Sequence, residues 1–284
     1  MKTAGLIGLT FFSALCLLSP AGAFEFMTSD GPGMGSSIML SESSASVLVS
    51  VPTGSMVPGE WQVQMGASRK FDLSDLDRAF IAAAYRWRAL TTSLGLMQFG
   101  QRDLYAERTL KWSLAVRRDS VSVGLSVSGM MVDISGGYGQ LRAATIGAGA
   151  SYRGGRWFVC AVGDNLTSPK LYEGSVARRP NYSLYGEFVG KASFSVTGRA
   201  AFQDTEKPQF ALAQRLRLSG GSTIFWGVST APLTYGAGLE LFVKRIWISY
   251  ATSVHPVLGF SHTVALTFGS KQSRLRGDGF DQPR

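Results

Sequence analysis

Large apolar residues recur at every second position over most of this chain. In the closing stretch, His262, Val264, Leu266 and Phe268 share one phase, and Ser261, Thr263, Ala265 and Thr267 share the other. Residues 120–131 repeat the scheme, with Val121, Val123, Leu125 and Val127 opposing Ser120, Ser122, Ser126 and Ser128. Phe194, Val196, Ala200 and Phe202 oppose Ser193, Ser195, Thr197, Arg199 and Gln203 in the same way. A period of two is the spacing of a β-strand whose faces meet different surroundings.

Turn signals divide the alternating region into fourteen predicted strands: 61–69, 79–88, 89–99, 108–118, 120–132, 141–153, 157–165, 180–190, 192–203, 208–218, 221–230, 233–243, 245–252 and 260–269. Most are longer than the ~5–6 residues usual in soluble sheets and near the ~9–11 that a tilted strand needs to cross a bilayer. Residues 74–85 also fit a helix opened by Ser74 and Asp77. The alternation of Ile81, Ala83, Tyr85 and Trp87 with Ala82, Ala84, Arg86 and Arg88 favours a strand. Ser46 to Val51 reads as one further short strand, ended by Pro52 and Gly54.

Charges fix which phase faces which way. Lys111, Glu187, Arg199, Arg215 and Glu240 fall mid-strand on the polar phase. A Lys or Arg facing lipid at the midplane costs about 2–4 kcal/mol, so the apolar phase must face outward. The predicted fold is an all-β, antiparallel up-and-down transmembrane barrel of about fourteen strands. Its lumen-facing charges are Arg86, Arg88, Lys111, Arg117, Glu187, Arg199, Arg215, Arg217 and Glu240. They suit an anion-tolerant pore, a site for an acidic segment, or an internal salt-bridge network. Trp61, Trp87, Trp157 and Trp247 lie near strand ends, where aromatic residues mark a membrane interface. Val264, Leu266 and Phe268 belong to the strand that closes the barrel.

The composition agrees. The chain has 284 residues with 34 Gly, 17% charged and 45% hydrophobic residues. No apolar run beyond the N-terminal stretch reaches the ~18 residues of a spanning helix. Residues 1–23 read as a secretory signal: Lys2, an apolar centre over 6–18, and Ala21-Gly22-Ala23 as the cleavage site. Removing it leaves Cys160 as the single cysteine, a small packing residue by its apolar neighbours. Residues 24–60 form an irregular, Gly/Ser/Met-rich segment expected at or in the barrel mouth, ahead of a barrel over 61–269. The polar tail 270–284 has no periodicity and is expected to be disordered.

The net charge of +9 raises nucleic acid as a partner. The basic residues are scattered singly along alternating segments behind an export signal, which argues against it. Only two histidines exist, His255 and His262. Ser261 adjoins His262 but points to the opposite face, and no Asp or Asn is placed to orient either ring. No catalytic residue, metal site or cofactor is predicted. The longest connection, 166–179, is the candidate plug, lid or partner contact.

The ending from His255-Pro256-Val257-Leu258-Gly259 to Phe268 resembles the final hairpin of PorV/PorQ-type outer-membrane proteins, FadL-like barrels associated with type IX secretion. Gly33-Met34-Gly35 and Val162-Gly163-Asp164-Asn165-Leu166 are similar to features of the same group. The resemblance implies a fourteen-stranded barrel in the outer membrane with an N-terminal segment near the lumen. It also implies either contact with secretion-system subunits or passage of hydrophobic compounds. A soluble periplasmic β-protein is the remaining alternative.

Overall fold

The computed structural model describes residues 26–29, 31–35, 37–41, 44–53, 60–101, 105–134, 139–171, 178–190, 194–203, 207–218, 221–244 and 246–270. The predicted signal and nearly all of the predicted tail lie outside them.

Fourteen antiparallel strands close into one barrel, each paired with its neighbours in sequence. They are β1 (Trp61–Arg69), β2 (Asp77–Trp87), β3 (Leu90–Gln101), β4 (Tyr105–Arg118), β5 (Val121–Ile134), β6 (Gly139–Gly154) and β7 (Trp157–Asp164). The second half is β8 (Asn181–Val189), β9 (Phe194–Gln203), β10 (Gln209–Arg217), β11 (Thr223–Ser229), β12 (Thr234–Val243), β13 (Ile246–His255) and β14 (Gly259–Gly269). Closure comes from β1 against β14, in register from Gln62 opposite Gly269 to Arg69 opposite His262. That ladder leaves no free sheet edge at the chain ends, as lipid requires.

The alternation sorts the side chains as expected. Leu94, Leu110, Leu125, Leu184, Leu212 and Val264 stand exposed on the outer surface. Gln64, Lys111, Ser126, Thr197 and Thr263 are buried on the inner one. The strand predicted over 79–88 is β2, and the rival helix contracts to a single 3-10 turn at Ser74–Leu76 just before it.

The two barrel ends differ. At the end holding Trp61 and Gly269, strands are joined by short connections such as 88–89, 119–120 and 155–156. The opposite end carries the longer ones, including 70–76 and 165–180. They are called the turn side and the loop side below.

One predicted element has the wrong type. Ser46 to Val51 is not a strand: Ala45–Ser50 form a helix, α1. The Ser44 side chain accepts the Val47 N–H as its N-cap. The expected strand had no partner to pair with, because this segment runs alone through an enclosed bore. A lone strand there would leave its N–H and C=O groups without partners, whereas a helix pairs its own. Tertiary setting overrides propensity.

Candidate functional site

Residues 26–29, 31–35, 37–41 and 44–53 lie inside the barrel, and the wall is built to receive them. Three apolar patches line the seat. Phe26, Met27, Ala45, Leu48 and Val49 pack on Phe80, Ala82, Ala84 and Met97. Ile38, Leu40, Val47 and Val51 pack on Phe158, Cys160, Val162 and Tyr185. Met34 and Met39 pack on Ala213, Phe225 and Ala251. The middle of the inner faces of β2 and β7 is therefore apolar, because it touches protein rather than water. Cys160 is 1% exposed within the second patch.

Polar anchors fix the register of the segment. Glu187 is fully buried on β8. Its Oε2 accepts the N–H groups of Leu40 at 2.6 Å and Ser41 at 2.8 Å, and its Oε1 accepts the Ser41 hydroxyl. Gln62 and Gln64 of β1 meet the start of α1, where N–H groups have no helical acceptor. Gln62 Oε1 accepts from Ala45 N at 2.5 Å and Gln64 Oε1 from Ser46 N at 3.2 Å. Gln64 Nε2 donates to Ser29 Oγ at 2.8 Å and Thr267 Oγ1 at 3.0 Å, which ties the helix to the closing ladder.

The carbonyl end of α1 meets donors. Ser113 Oγ donates to Leu48 O at 2.9 Å, Lys111 Nζ reaches Ser50 O at 3.4 Å, and Ser122 Oγ donates to Thr53 O. Lysine at a helix C-terminus also complements the helix dipole. Where the segment's backbone touches the wall, the wall lacks side chains. A Cβ on Gly124 would strike Pro52 O, on Gly227 Met34 O, and on Gly236 Pro32 O. Gly35 carries a positive φ of 59° against the Val228 backbone, which favours glycine twice over.

A cavity of about 80 Å³ remains on the loop side of the segment. Phe26, Ser50 and Val51 contribute from the segment and Met130, Val162 and Tyr185 from the wall. Its polar lining includes Lys111, Ser128, Asp164, Arg178, Arg179, Asn181 and Gln203. Lys111 Nζ lies 2.7 Å from Asp164 Oδ1, so its one side chain joins strand β4, the end of β7 and helix α1. Arg178 and Arg179 bring part of the connection singled out in the sequence against this cavity. Residues 172–177 of that connection lie outside the described ones.

The predicted lumen charges divide into three groups. Lys111, Glu187, Arg199, Arg215 and Glu240 are buried in the bore. Arg215 Nη2 lies 3.2 Å from Glu240 Oε1. Arg199 donates to Ser183 Oγ at 3.3 Å and lies 5.7 Å from the Tyr185 ring centroid. Arg86, Arg117 and Arg217 point inward but only half-buried, at the turn-side rim. Arg88 departs from its expected place. It occupies the two-residue turn between β2 and β3 at φ 54°, exposed, with its guanidinium 5.6 Å from the Trp87 ring centroid.

Trp61, Trp87 and Trp157 stand exposed on the outer surface at the turn side, where interface aromatics were expected. Trp247 does not. It shares its phase with the buried Ser249 and Ala251, and its ring lies tilted against Phe242, 4.7 Å between centroids, inside the rim. Ile246 and Ile248 take the outward phase there, so the one-residue register excludes Trp247 from the girdle. Val264, Leu266 and Phe268 point outward on β14 opposite β1. His255 Nδ1 accepts from Val257 N at 3.2 Å and Leu258 N at 3.1 Å in its turn. His262 meets the Tyr250 hydroxyl at 2.8 Å and Asp72 at 3.5 Å on the outside.

Gln62, Gln64 and the inward glycines were not singled out from the sequence. Their signal was present: both glutamines, and Gly124, Gly227 and Gly236, fall on the inward phase of their strands. What that phase faced was not.

No protein-family model matches the sequence, and no curated protein matches it. Among solved structures the chain is similar to the Pseudomonas putida toluene transporter TodX, at a TM-score of 0.61 and 10% identity, covering 88% of this chain and 100% of that one. It is also similar to the Acinetobacter baumannii outer membrane protein Omp33, at a TM-score of 0.51 and 8% identity, covering 75% and 98%. At these identities the likeness is one of fold.

Proposed function

We propose that this is a non-enzymatic, integral outer-membrane barrel, exported by a cleaved signal, that carries small hydrophobic compounds as FadL-like carriers do. The exposed apolar phase of the strands supports the location, because water would not tolerate so continuous a surface and acyl chains would. Carriage rests above all on one observation: the protein's own segment occupies the bore, with a half-apolar cavity beside it. Phe26, Val51, Met130, Val162 and Tyr185 supply a surface for an apolar solute there. A water-filled pore would need no such filling. The fold likeness to a toluene transporter supports the same reading.

A secretion-associated role, with contacts to secretion-system subunits, is the second reading. The Gly33-Met34-Gly35 leader and final-hairpin resemblance favour it, and so does the filling of the bore by described parts of the N-terminal segment. Reconstituted proteoliposomes separate the two. Carriage predicts saturable entry of a small aromatic hydrocarbon together with very low ion conductance. Entry no faster than in protein-free vesicles would overturn it, and co-purification with a secretion channel from native membranes would then carry the second reading.

A further inference from the structure

Strands β4 and β6 carry arginine on the outward phase, each three residues in from the strand's loop-side end: Arg108 and Arg142. The ladder sets them on one level, Arg108 opposite Met131 and Met131 opposite Arg142, with β5 between. One level nearer the loops, Asp133 of β5 faces Gln140 of β6. These four polar side chains form one bonded chain across three strands. Arg108 Nη1 lies 3.1 Å from Asp133 Oδ2. Gln140 Nε2 donates to Asp133 Oδ1 at 2.6 Å, and Arg142 Nε donates to Gln140 Oε1 at 2.9 Å. The chain therefore holds two guanidinium groups and a single carboxylate. The connection 135–138 reads Ser-Gly-Gly-Tyr and brings no further acid.

The strand itself sets the height of this row. Arg118 is the next outward charge on β4, ten residues further on, and Leu110, Trp112, Leu114 and Val116 fill the outward positions between. Ten residues at ~3.3 Å each, tilted by about 40°, cover about 25 Å, the height of the apolar band of an outer-membrane barrel. On β6 the same interval runs from Arg142 to the exposed Tyr152. Arg108 and Arg142 thus stand at the headgroup boundary. They stand on the loop side, and in outer-membrane barrels the longer loops are extracellular. One level toward the midplane, Leu110, Gly129 and Ala144 lie opposite one another on the outer surface. A Cβ on Gly129 would meet nothing within 4 Å, so the surface drops to a shallow trough beside Leu110.

Guanidinium groups bind phosphate through paired hydrogen bonds, and side chains already tied to their neighbours lose less freedom on binding. We propose that the outer surface of β4–β6 is a docking site for a phosphorylated lipid of the outer leaflet. Its phosphate lies between Arg108 and Arg142, and one acyl chain runs along Gly129 and Ala144. The outer leaflet of such a membrane is built of phosphorylated glycolipid, which is the anion present at this height on this face. A soluble acidic protein would meet the loops instead, because apolar side chains begin one level below the arginines. The proposal rests on the outer-membrane location and holds under either reading of the protein's role there.

The test uses the full barrel in detergent, incubated with bis-phosphorylated lipid A and read by native mass spectrometry. Wild type should retain lipid A over its fully dephosphorylated form by about tenfold, and R108Q/R142Q should lose that preference. A turn-side pair of equal charge, R118Q/R156Q, should keep it within about twofold. Gly129→Leu fills the trough and should weaken retention of lipid A by about threefold. Retained heat-modifiable migration shows that each variant is folded. Should R108Q/R142Q not fold, R142Q alone serves, with the preference falling about threefold. Insertion of the wild type into phosphatidylcholine vesicles tests the location separately, so a barrel that inserts but shows no preference overturns the proposal alone. Equal loss from both pairs, unchanged retention by Gly129→Leu, or full displacement of lipid A by inorganic phosphate at equal concentration would also overturn it.

Discussion

The outer and inner faces of the same strands follow different rules. On β5, Val121, Val123, Leu125 and Val127 look out, and nothing in the protein selects one apolar residue over another there. One residue away, Ser122 holds Thr53 O, Gly124 makes room for Pro52, and Ser126 lies close to the Gly147 backbone. The outer face answers to a solvent that is the same everywhere, so any greasy side chain satisfies it. The inner face answers to one particular stretch of the chain, so identity matters position by position. The barrel is therefore tolerant outside and exacting inside.

The largest expected break in this contrast comes from violating the outer rule itself. Leu125→Arg puts a cation into the middle of the apolar band and should destabilise the barrel by about 2–4 kcal/mol, whereas Leu125→Val should stay within about 0.5 kcal/mol. Denaturant unfolding in vesicles, read by tryptophan fluorescence, measures both. If the two behaved alike, the face would not meet lipid.

Inside, a much gentler change should still be felt. Glu187→Gln keeps the shape but loses charge-assisted acceptance of two backbone N–H groups and a hydroxyl. The expected cost is about 1–3 kcal/mol. Because the loss falls on the segment inside the bore, ion conductance should rise even where the barrel stays folded, which planar-bilayer recording would detect. A smaller inner-face effect is expected at Gln64→Ala, about 1–2 kcal/mol, since Gln62 and Ser44 still cover the start of α1. Hydrogen exchange should localise that change to α1 and leave the strands protected.

The sequence was a good guide wherever one residue met a uniform surrounding. Strand number, strand type and the outward phase of Val264, Leu266 and Phe268 could be read from alternation and the cost of a charge in lipid. Errors arose where a residue's neighbour was distant in sequence. Trp247 looked like a girdle residue by its nearness to a strand end, but a single step of register turned it inward onto Phe242. Arg88 kept the phase of a lumen charge until the turn took it. Ser46 to Val51 read as extended chain until the bore left it no sheet to join.

By itself, then, the sequence determined the wall. A membrane imposes one condition repeated along every strand, and a periodic condition leaves a periodic trace that can be read locally. Only the tertiary structure decided what the wall encloses. The pairing of Glu187 with Leu40 and Ser41, of Gln64 with Ser46, and of Gly124 with Pro52 joins positions far apart in the chain. Such contacts depend on where fourteen strands place their inner faces once the ring has closed. No local pattern carries that information, because each partner is specified by a shape that exists only after folding.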